Sequence, residues 1–135
     1  MIDNQKILYK FIKTNNNVDW DYISYYYKLS ENFIREFEDK IDWISISDNQ
    51  FLSENFIREY QDKINWNIIS AYYHRLSENF IREFQDKLGW DYISINQKLS
   101  EDFIREFQND VYWDYISKYQ ELSKNFKEEF KHKIK

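Results

Sequence analysis

Apolar residues recur along the chain at the spacing of an α-helix, in two segments that alternate from one end to the other. The longer segment carries an apolar residue at every fourth position: Leu29, Phe33, Phe37 and Ile41. This spacing predicts a helix of about ten residues with one apolar stripe. The shorter segment places Trp20, Ile23 and Tyr27 on a common face, and about five residues remain for turns. Each pair of segments is therefore predicted to form an antiparallel helical hairpin.

The hairpin is repeated five times. The tryptophans lie at positions 20, 43, 66, 90 and 113, with spacings of 23, 23, 24 and 23 residues, and the Ile-Ser and Leu-Ser pairs follow the same period. A single hairpin is too small to bury its aromatic and aliphatic residues, whereas stacked neighbours bury them against each other. We therefore predict an all-α protein: an α-solenoid of about five 23–24-residue helix–turn–helix repeats with polar end caps. We expect residues 1–135 to form a single repeat domain.

The two ends of the sequence depart from the repeat. Residues 1–19 are predicted to be an N-terminal cap in which residues 7–18 form a degenerate second helix. Residues 123–135 are predicted to contain a C-terminal cap, because Lys127 replaces an isoleucine that recurs in the other repeats. Those isoleucines are Ile34, Ile57, Ile81 and Ile104. A polar outer face suits a terminal repeat, and we expect the array to be complete in this chain.

Composition narrows the classes of function. The net charge of −5 argues against general nucleic-acid binding, which depends on neutralising phosphates with Lys and Arg. The chain has no cysteine, only two histidines in different repeats, and no nucleotide-binding or hydrolase motif. We therefore expect no enzyme activity, no catalytic or metal site and no cofactor. No segment is long and apolar enough for a signal peptide or a membrane span, so we expect an intracellular, soluble protein that binds no membrane.

Three recurrent residue sets could carry chemistry, and a structural role is favoured for each. The tryptophans could stack on bases or sugars, but they share a helix face with the isoleucines, which favours core packing. The serines of the Ile-Ser pairs have no neighbouring base, so they are expected where two helices cross. The arginines Arg35, Arg58, Arg82 and Arg105 could bind an acidic partner. Each has acidic residues at i−4 and i+1, and all but Arg105 have a third at i+4, which favours ion pairs on a solvated face.

The repeats differ most between the Ile-Ser and Leu-Ser pairs, where the third repeat has one extra residue and its loop is expected to bulge. A constant frame with divergent tips is typical of repeat scaffolds that display a binding surface. Drift at unconstrained exposed positions explains the same divergence equally well. The candidate partner-binding tip residues are Tyr25, Tyr26, Asn49, Gln50, Tyr72, Tyr73, His74, Asn96, Gln97, Tyr119 and Gln120.

The strings LSENFIREF, LSENFIREYQDKINW and LSEDFIREF resemble the short tandem-repeat proteins that giant DNA viruses of amoebae, such as mimivirus-like viruses, encode. The abundance of residues with A/T-rich codons fits such a source. The resemblance implies a viral protein located in the host cytoplasm, and it implies no assigned activity. A weaker resemblance is to F-box helices, in which Leu-Ser opens an amphipathic helix that ends near an Asp-Trp pair. This chain departs from that pattern with five copies and no proline.

Together these observations predict a non-enzymatic, monomeric repeat scaffold that mediates protein–protein interaction with a partner of unknown identity. A structural or self-assembling component of a virion or filament is the alternative from a different class. An F-box-like adaptor is the remote alternative.

Overall fold

The fold was analysed in a computed structural model that describes residues 4–72 and 75–134. Those residues form eleven helices and no strand, which confirms the predicted all-α repeat fold. Helix α1 spans Asn4–Thr14. The first helices of the five repeats are α2 (Trp20–Tyr26), α4 (Trp43–Asn49), α6 (Trp66–Tyr72), α8 (Trp90–Asn96) and α10 (Trp113–Tyr119). The second helices are α3 (Glu31–Glu36), α5 (Glu54–Glu59), α7 (Glu78–Glu83), α9 (Glu101–Glu106) and α11 (Lys124–Glu129).

The chain forms two compact units, residues 1–65 with α1 to α5 and residues 66–135 with α6 to α11. Within each unit the first helices of neighbouring repeats pack side by side. In the first unit α2 packs on α4, and in the second unit α8 packs on both α6 and α10. This regular stacking of helix pairs is that of an α-solenoid. The expectation of a single domain over residues 1–135 stays a prediction.

Each second helix begins at the serine of the Leu-Ser pair. The Oγ atom of Ser30 accepts a hydrogen bond from the backbone N–H of Phe33 over 3.1 Å, and Ser30 itself has extended backbone angles. The same N-cap bond is present at Ser53, Ser77, Ser100 and Ser123. Such a cap stabilises a helix by about 1 kcal/mol. The sequence signal for the start of each second helix is therefore confirmed.

The second helices end earlier than predicted. They span six residues, and the helix that was expected to reach about residue 40 ends at Glu36. Two consecutive turns follow, in which the N–H groups of Lys40 and Ile41 both donate to the carbonyl of Phe37. These turns keep Ile41 on the buried side, so the apolar stripe continues after the helix has stopped. Neither Gly nor Pro marks the end of the helix, so the sequence gives no stop signal there.

The core lies between consecutive repeats. Its fully buried side chains include one phenylalanine and one isoleucine from each of the first four second helices: Phe33, Ile34, Phe56, Ile57, Phe80, Ile81, Phe103 and Ile104. Burying a side chain of this size stabilises the fold by about 1.5–3 kcal/mol. In α11 the isoleucine position is held by Lys127, whose side chain is exposed. The C-terminal cap expected within residues 123–135 stays a prediction.

The tryptophans pack on core aromatic rings, as favoured from the sequence, but they are half-buried and lie at the edge of the core. One face of the Trp43 ring packs on Tyr60, with ring centroids 4.9 Å apart, and the Nζ atom of Lys63 lies 5.7 Å from the Trp43 ring centroid. The indole N–H of Trp43 donates to the carbonyl of Glu38 over 3.0 Å. An indole ring whose N–H donates a hydrogen bond and whose face is covered by a lysine is well placed at the edge of a core.

Helix α1 occupies the place of a second helix at the N-terminal side of the first unit. Tyr9 packs edge-on against Phe33, with ring centroids 5.1 Å apart. The Oε1 atom of Gln5 accepts the N–H of Ser30, which matches the bond from the N–H of Ser53 to Glu31 one repeat later. The helix ends at Thr14 rather than at Val18, because the side chain of the following asparagine donates to the carbonyl of Phe11 and caps it.

Candidate partner-binding surface

The serines of the Ile-Ser pairs join consecutive repeats. The buried Oγ atom of Ser24 donates to the carbonyl of Trp20 over 2.7 Å and accepts the backbone N–H of Asp42, in the next repeat, over 3.0 Å. Ser47, Ser70 and Ser94 make the equivalent pair of bonds, to the residue before the next tryptophan in each case. The expected position at a helix crossing is confirmed, and the capping role is additional. These serines serve the fold.

A glutamine seven residues after the tryptophan reaches back to the preceding repeat. The Oε1 atom of Gln50 accepts the N–H of Leu29 over 2.8 Å, and its Nε2 atom donates to the carbonyl of Tyr27 over 2.7 Å. Gln120 makes the same contacts with Leu99 and Gln97. The amide thereby satisfies backbone groups in the turn between two helices, where burial without a partner is costly.

These amide contacts, which we call the glutamine clasp, correct part of the predicted set of partner-binding tip residues. Gln50 and Gln97 are buried, with 5% and 3% of their surface exposed, and Gln120 is half-buried. The Oε1 atom of Gln97 accepts the N–H of Leu76 over 2.9 Å. These three residues were expected at exposed tips, but their amides are directed inward because the turn of the preceding repeat needs a donor and an acceptor. They hold repeats together and offer little surface to a partner.

The arginines bridge consecutive second helices. The Nε atom of Arg35 lies 3.0 Å from a carboxylate oxygen of Glu59, in the next repeat, and its guanidinium lies 5.1 Å from the ring centroid of Phe56. Arg82 with Glu106 and Arg105 with Glu129 repeat this arrangement at 2.8 Å. Ion pairing on a solvated face was expected. An acid one repeat away is added to the pairs within a helix, such as Arg105 with Asp102 at 2.8 Å.

Other predicted tip residues are exposed. Tyr25 and Tyr26 have 51% and 66% of their surface accessible, and Tyr119 has 49%. Asn49 and Asn96 are exposed as well, and the side chain of Asn96 donates to the carbonyl of Ala71 in the preceding repeat over 3.0 Å.

Three further predicted positions fall where the structure gives no side chain. Tyr72 ends α6, and its side chain is outside the described part of the chain. Tyr73 and His74, together with the bulge expected at the extra residue of the third repeat, lie outside the described residues. These positions stay predictions.

A patch of tyrosines covers the first helix of the first repeat. Its members, Tyr22, Tyr25, Tyr26 and Tyr27, are each at least 41% exposed. The rings contact one another, with centroids 4.5 Å apart for Tyr22 and Tyr26 and 4.7 Å apart for Tyr25 and Tyr26. We call these four residues the tyrosine patch. Sequence analysis found two of its members and missed the other two. Tyr22 lies in the first turn of the helix rather than at a tip, and Tyr27 was placed on the face shared with Trp20 and Ile23.

An apolar cleft lies beside the tyrosine patch, between α1 and α2, with a volume of about 290 Å³. From α1 it is lined by Leu8 and by the exposed side chains of Ile7 and Phe11. From α2 it is lined mainly by Ile23 and by Tyr22 and Tyr27 of the patch, with Asn17 and Asp19 at one end. Exposed apolar surface that is concave and rimmed by polar groups is typical of binding sites.

Over residues 4–72 and 75–134, no three His, Asp or Glu side chains come close enough to hold a metal ion. None of the helices in those ranges is long and apolar enough to cross a membrane. The tyrosine patch and its cleft are therefore the candidate functional site.

Comparisons with protein-family models, with curated proteins and with solved structures give no match to this chain.

Proposed function

We propose that this chain is a non-enzymatic repeat scaffold that binds a protein partner through the tyrosine patch of its first repeat. The observation that carries the proposal is the contrast between the recurrent polar residues and this patch. The serines, glutamines and arginines make bonds between repeats, whereas Tyr22, Tyr25 and Tyr26 leave at least half of their surface exposed. Tyrosine is a favoured interface residue, because a rigid ring with a polar tip offers large contact area at low entropic cost.

The proposal includes a monomeric state and no nucleic-acid partner. Two features support it: the net charge of −5, and the exposed lysine in place of a buried isoleucine in α11. A cytoplasmic role in a virus-infected host is part of the same proposal and rests on the resemblance of the repeat strings. Sedimentation across a concentration series separates this scaffold from a self-assembling structural component. A constant sedimentation coefficient supports the scaffold, and a rising one supports assembly.

The test is affinity capture from source cells with quantitative mass spectrometry. The bait variant carries Tyr25→Ser and Tyr26→Ser, and the matched control carries Tyr112→Ser, a tyrosine of the second unit that is 53% exposed. We expect a protein that is enriched by the wild type and by the control and is lost from the double variant. Equal enrichment by all three baits, or no enrichment by any, contradicts the proposal.

A further inference from the structure

A cavity in the second unit lies between α10 and the turn that follows α11. The cavity, of about 360 Å³, is lined by Tyr112, Trp113, Asp114, Tyr115 and Lys133. The Trp113 ring is fixed from behind, because it stacks on Phe130 with ring centroids 4.9 Å apart and its indole N–H donates to the carbonyl of Gln108 over 2.9 Å. The cavity therefore combines aromatic rings with one carboxylate and one ammonium group on a packed frame.

Tyr112 departs from the pattern of the repeat at a cost to its own helix. The residue before each tryptophan is the N-cap position of a first helix. In the second repeat Asp42 caps its helix by accepting the N–H of Ser45 over 3.1 Å, and Asp19 makes the equivalent bond in the first repeat. The side chain of Tyr112 makes no cap bond, and its ring is exposed. Because the loss of an N-cap destabilises a helix, a residue that breaks this rule is expected at a functional position.

Three phenol rings form a row along the exposed side of α10. The ring centroids of Tyr112 and Tyr115 lie 6.0 Å apart with the rings inclined by 29°, and those of Tyr115 and Tyr119 lie 6.3 Å apart. All three side chains are exposed. We call these three residues the tyrosine row. Its first two members line the cavity and Tyr119 follows one helical turn later, so the row extends the aromatic surface beyond the cavity.

The residues of the cavity lie at positions that stay on the surface inside the array. Tyr92, which holds the place of Tyr115 in the fourth repeat, is exposed although α10 packs on its helix. In the third repeat the Nζ atom of Lys87 lies 5.6 Å from the ring centroid of Trp66, so the pairing of lysine with tryptophan persists there too. The cavity is therefore built from the fifth repeat's own residues, at positions that a neighbouring repeat leaves open.

The lining of the cavity favours a neutral ligand that carries hydroxyl groups. Asp114 and Lys133 supply one charge of each sign, so a charged ligand is attracted by one and repelled by the other. A hydroxyl group both donates to a carboxylate and accepts from an ammonium group. A purely apolar ligand would remove water from both charged groups without replacing it, which is costly. The net charge of −5 disfavours a nucleic acid.

A sugar ring meets both requirements of the site. Its edge carries hydroxyl groups, and its flat faces carry C–H groups whose partial positive charge suits the negative face of an aromatic ring. In a β-1,4-linked chain the successive sugar rings form a nearly flat ribbon with hydroxyl groups along both edges. Such a ribbon can lie with one face on the tyrosine row while its edge reaches Asp114 and Lys133.

We propose that the cavity and the tyrosine row bind a neutral β-1,4-linked oligosaccharide. One sugar unit occupies the cavity against Tyr112 and Tyr115, with its hydroxyl groups on Asp114 and Lys133, and the chain continues over Tyr119. This site is separate from the protein-binding surface proposed for the first repeat, so the inference goes beyond that function and does not depend on it.

The probe is cellotetraose, a neutral β-1,4-linked glucose tetramer, and cellobiose is the short probe that stays within the cavity. Maltotetraose has the same composition, but its α-1,4 linkages curve the chain away from a flat ribbon. A heparin-derived tetrasaccharide tests a polyanion. Backbone amide shifts of the isotope-labelled full chain, followed by heteronuclear NMR during titration, report both the affinity and the place of binding.

The protein variants separate binding from folding. Tyr112→Asn removes a ring and introduces the residue that the third repeat carries at this position, Asn65. Because asparagine is a favourable N-cap, the midpoint of thermal unfolding should not fall. Tyr119→Ser removes the far end of the tyrosine row. The matched control is Tyr25→Ser in the first repeat, since Tyr25 is 51% exposed and Tyr112 is 53% exposed.

We expect cellotetraose to cause saturable shifts at the amides of residues 112–115 and of Lys133, in the wild type and in Tyr25→Ser. Tyr112→Asn should weaken this binding about tenfold, as the loss of one stacking ring does. Tyr119→Ser should weaken cellotetraose about fivefold and leave the affinity for cellobiose unchanged. Maltotetraose and the heparin tetrasaccharide should bind at least about tenfold more weakly than cellotetraose.

Four results would overturn the inference. They are the absence of saturable shifts with cellotetraose, equal binding of maltotetraose, tighter binding of the heparin tetrasaccharide, and an unchanged affinity in folded Tyr112→Asn. None of these results bears on capture of a protein by the tyrosine patch, so the two proposals stand or fall separately.

Discussion

The hydroxyl of Ser24 accepts the backbone N–H of Asp42 over 3.0 Å. The same hydroxyl donates to the carbonyl of Trp20 in its own helix, so one side chain links that helix to the start of the first helix of the next repeat. The same bond joins Ser94 to Tyr112 over 3.1 Å. In the last repeat Ser117 donates to the carbonyl of Trp113 and is half-buried. The serine thus makes two bonds in each of the first four repeats, and Ser117 of the fifth repeat serves as an internal control.

Replacing Ser94 by alanine should lower the free energy of unfolding by about 1–3 kcal/mol, because the N–H of Tyr112 loses its acceptor in a half-buried place. Ser117→Ala removes a hydroxyl whose one bond among the described residues lies within its own helix, and should cost less than about 1 kcal/mol. Urea denaturation followed by circular dichroism measures both. Equal losses would show that the bond between repeats contributes nothing.

Replacing Gln50 by alanine should cost about 1–3 kcal/mol, because the N–H of Leu29 and the carbonyl of Tyr27 lose their partner. The control is Asn49→Ala, one residue earlier and exposed, which should change stability by no more than about 0.5 kcal/mol. Chemical denaturation of the two variants distinguishes a buried clasp from an exposed tip. If Gln50→Ala leaves the free energy of unfolding unchanged, Gln50 does not hold the repeats together and the sequence-based prediction of a partner-binding tip residue would stand.

The contrast between buried Gln50 and exposed Asn49 shows which features could be predicted from the sequence and which could not. The repeat period, the N-cap serines and the buried stripe from Phe33 to Ile41 were predicted because each depends on residues close together in sequence. The role of Gln50 was missed because its bonds reach back more than twenty residues, to a turn whose geometry the sequence does not state. A glutamine seven residues after the tryptophan in three of five repeats was the available signal.

The partial exposure of the tryptophans could not be predicted from the sequence for a similar reason. Helical periodicity places Trp43 and Ile46 on one face, but the isoleucine is fully buried and the tryptophan is not. The difference arises because the indole N–H reaches the carbonyl of Glu38 and Lys63 lies over the ring, and both residues come from loop and turn segments. The tyrosine patch was only half predicted because the search for display residues was confined to the divergent tips. Tyr22 lies two residues after the tryptophan, where Tyr92 and Tyr115 of later repeats are also exposed, at 41% and 36%.

The phenol of Tyr60 gives a prediction for alkaline pH. Its O–H donates to the carboxylate of Glu38 over 2.6 Å, and burial, followed by this hydrogen bond, raises the pKa of Tyr60 to about 12 from 10.0. The neutral phenol is thus favoured in the folded state. Its contribution to stability is complete below about pH 10, the unfolded pKa, and is lost as the pH rises through the folded value.

The measurement compares wild type with Tyr60→Phe, a residue that four other repeats carry at this position. We expect the stability of the wild type to fall more steeply between about pH 10 and pH 12 than that of the variant. Ultraviolet titration should show one fewer late-ionising phenol in the variant. Parallel pH profiles would mean that Tyr60 titrates like an exposed tyrosine.

Introducing a charge at the core isoleucine of the third repeat should strongly lower the free energy of unfolding. Ile81 is fully buried, and Ile81→Lys should cost at least about 3 kcal/mol by placing an unpaired ammonium among apolar side chains. Ile44→Lys, at a position that is 60% exposed, should cost less than about 0.5 kcal/mol. Thermal unfolding of both variants measures the difference. If Ile81→Lys is tolerated, the repeats do not stack through this residue.

The claim that the first repeat binds a partner is tested most directly by hydrogen–deuterium exchange of the wild-type chain, alone and in complex with the protein that affinity capture recovers. The account predicts slower exchange on binding in α1 and α2, whose Ile7, Phe11 and Tyr22 side chains line the cleft. Amides of residues 75–134 should exchange at the same rate in both states. Slowing confined to those residues, with α1 and α2 unchanged, would contradict the account.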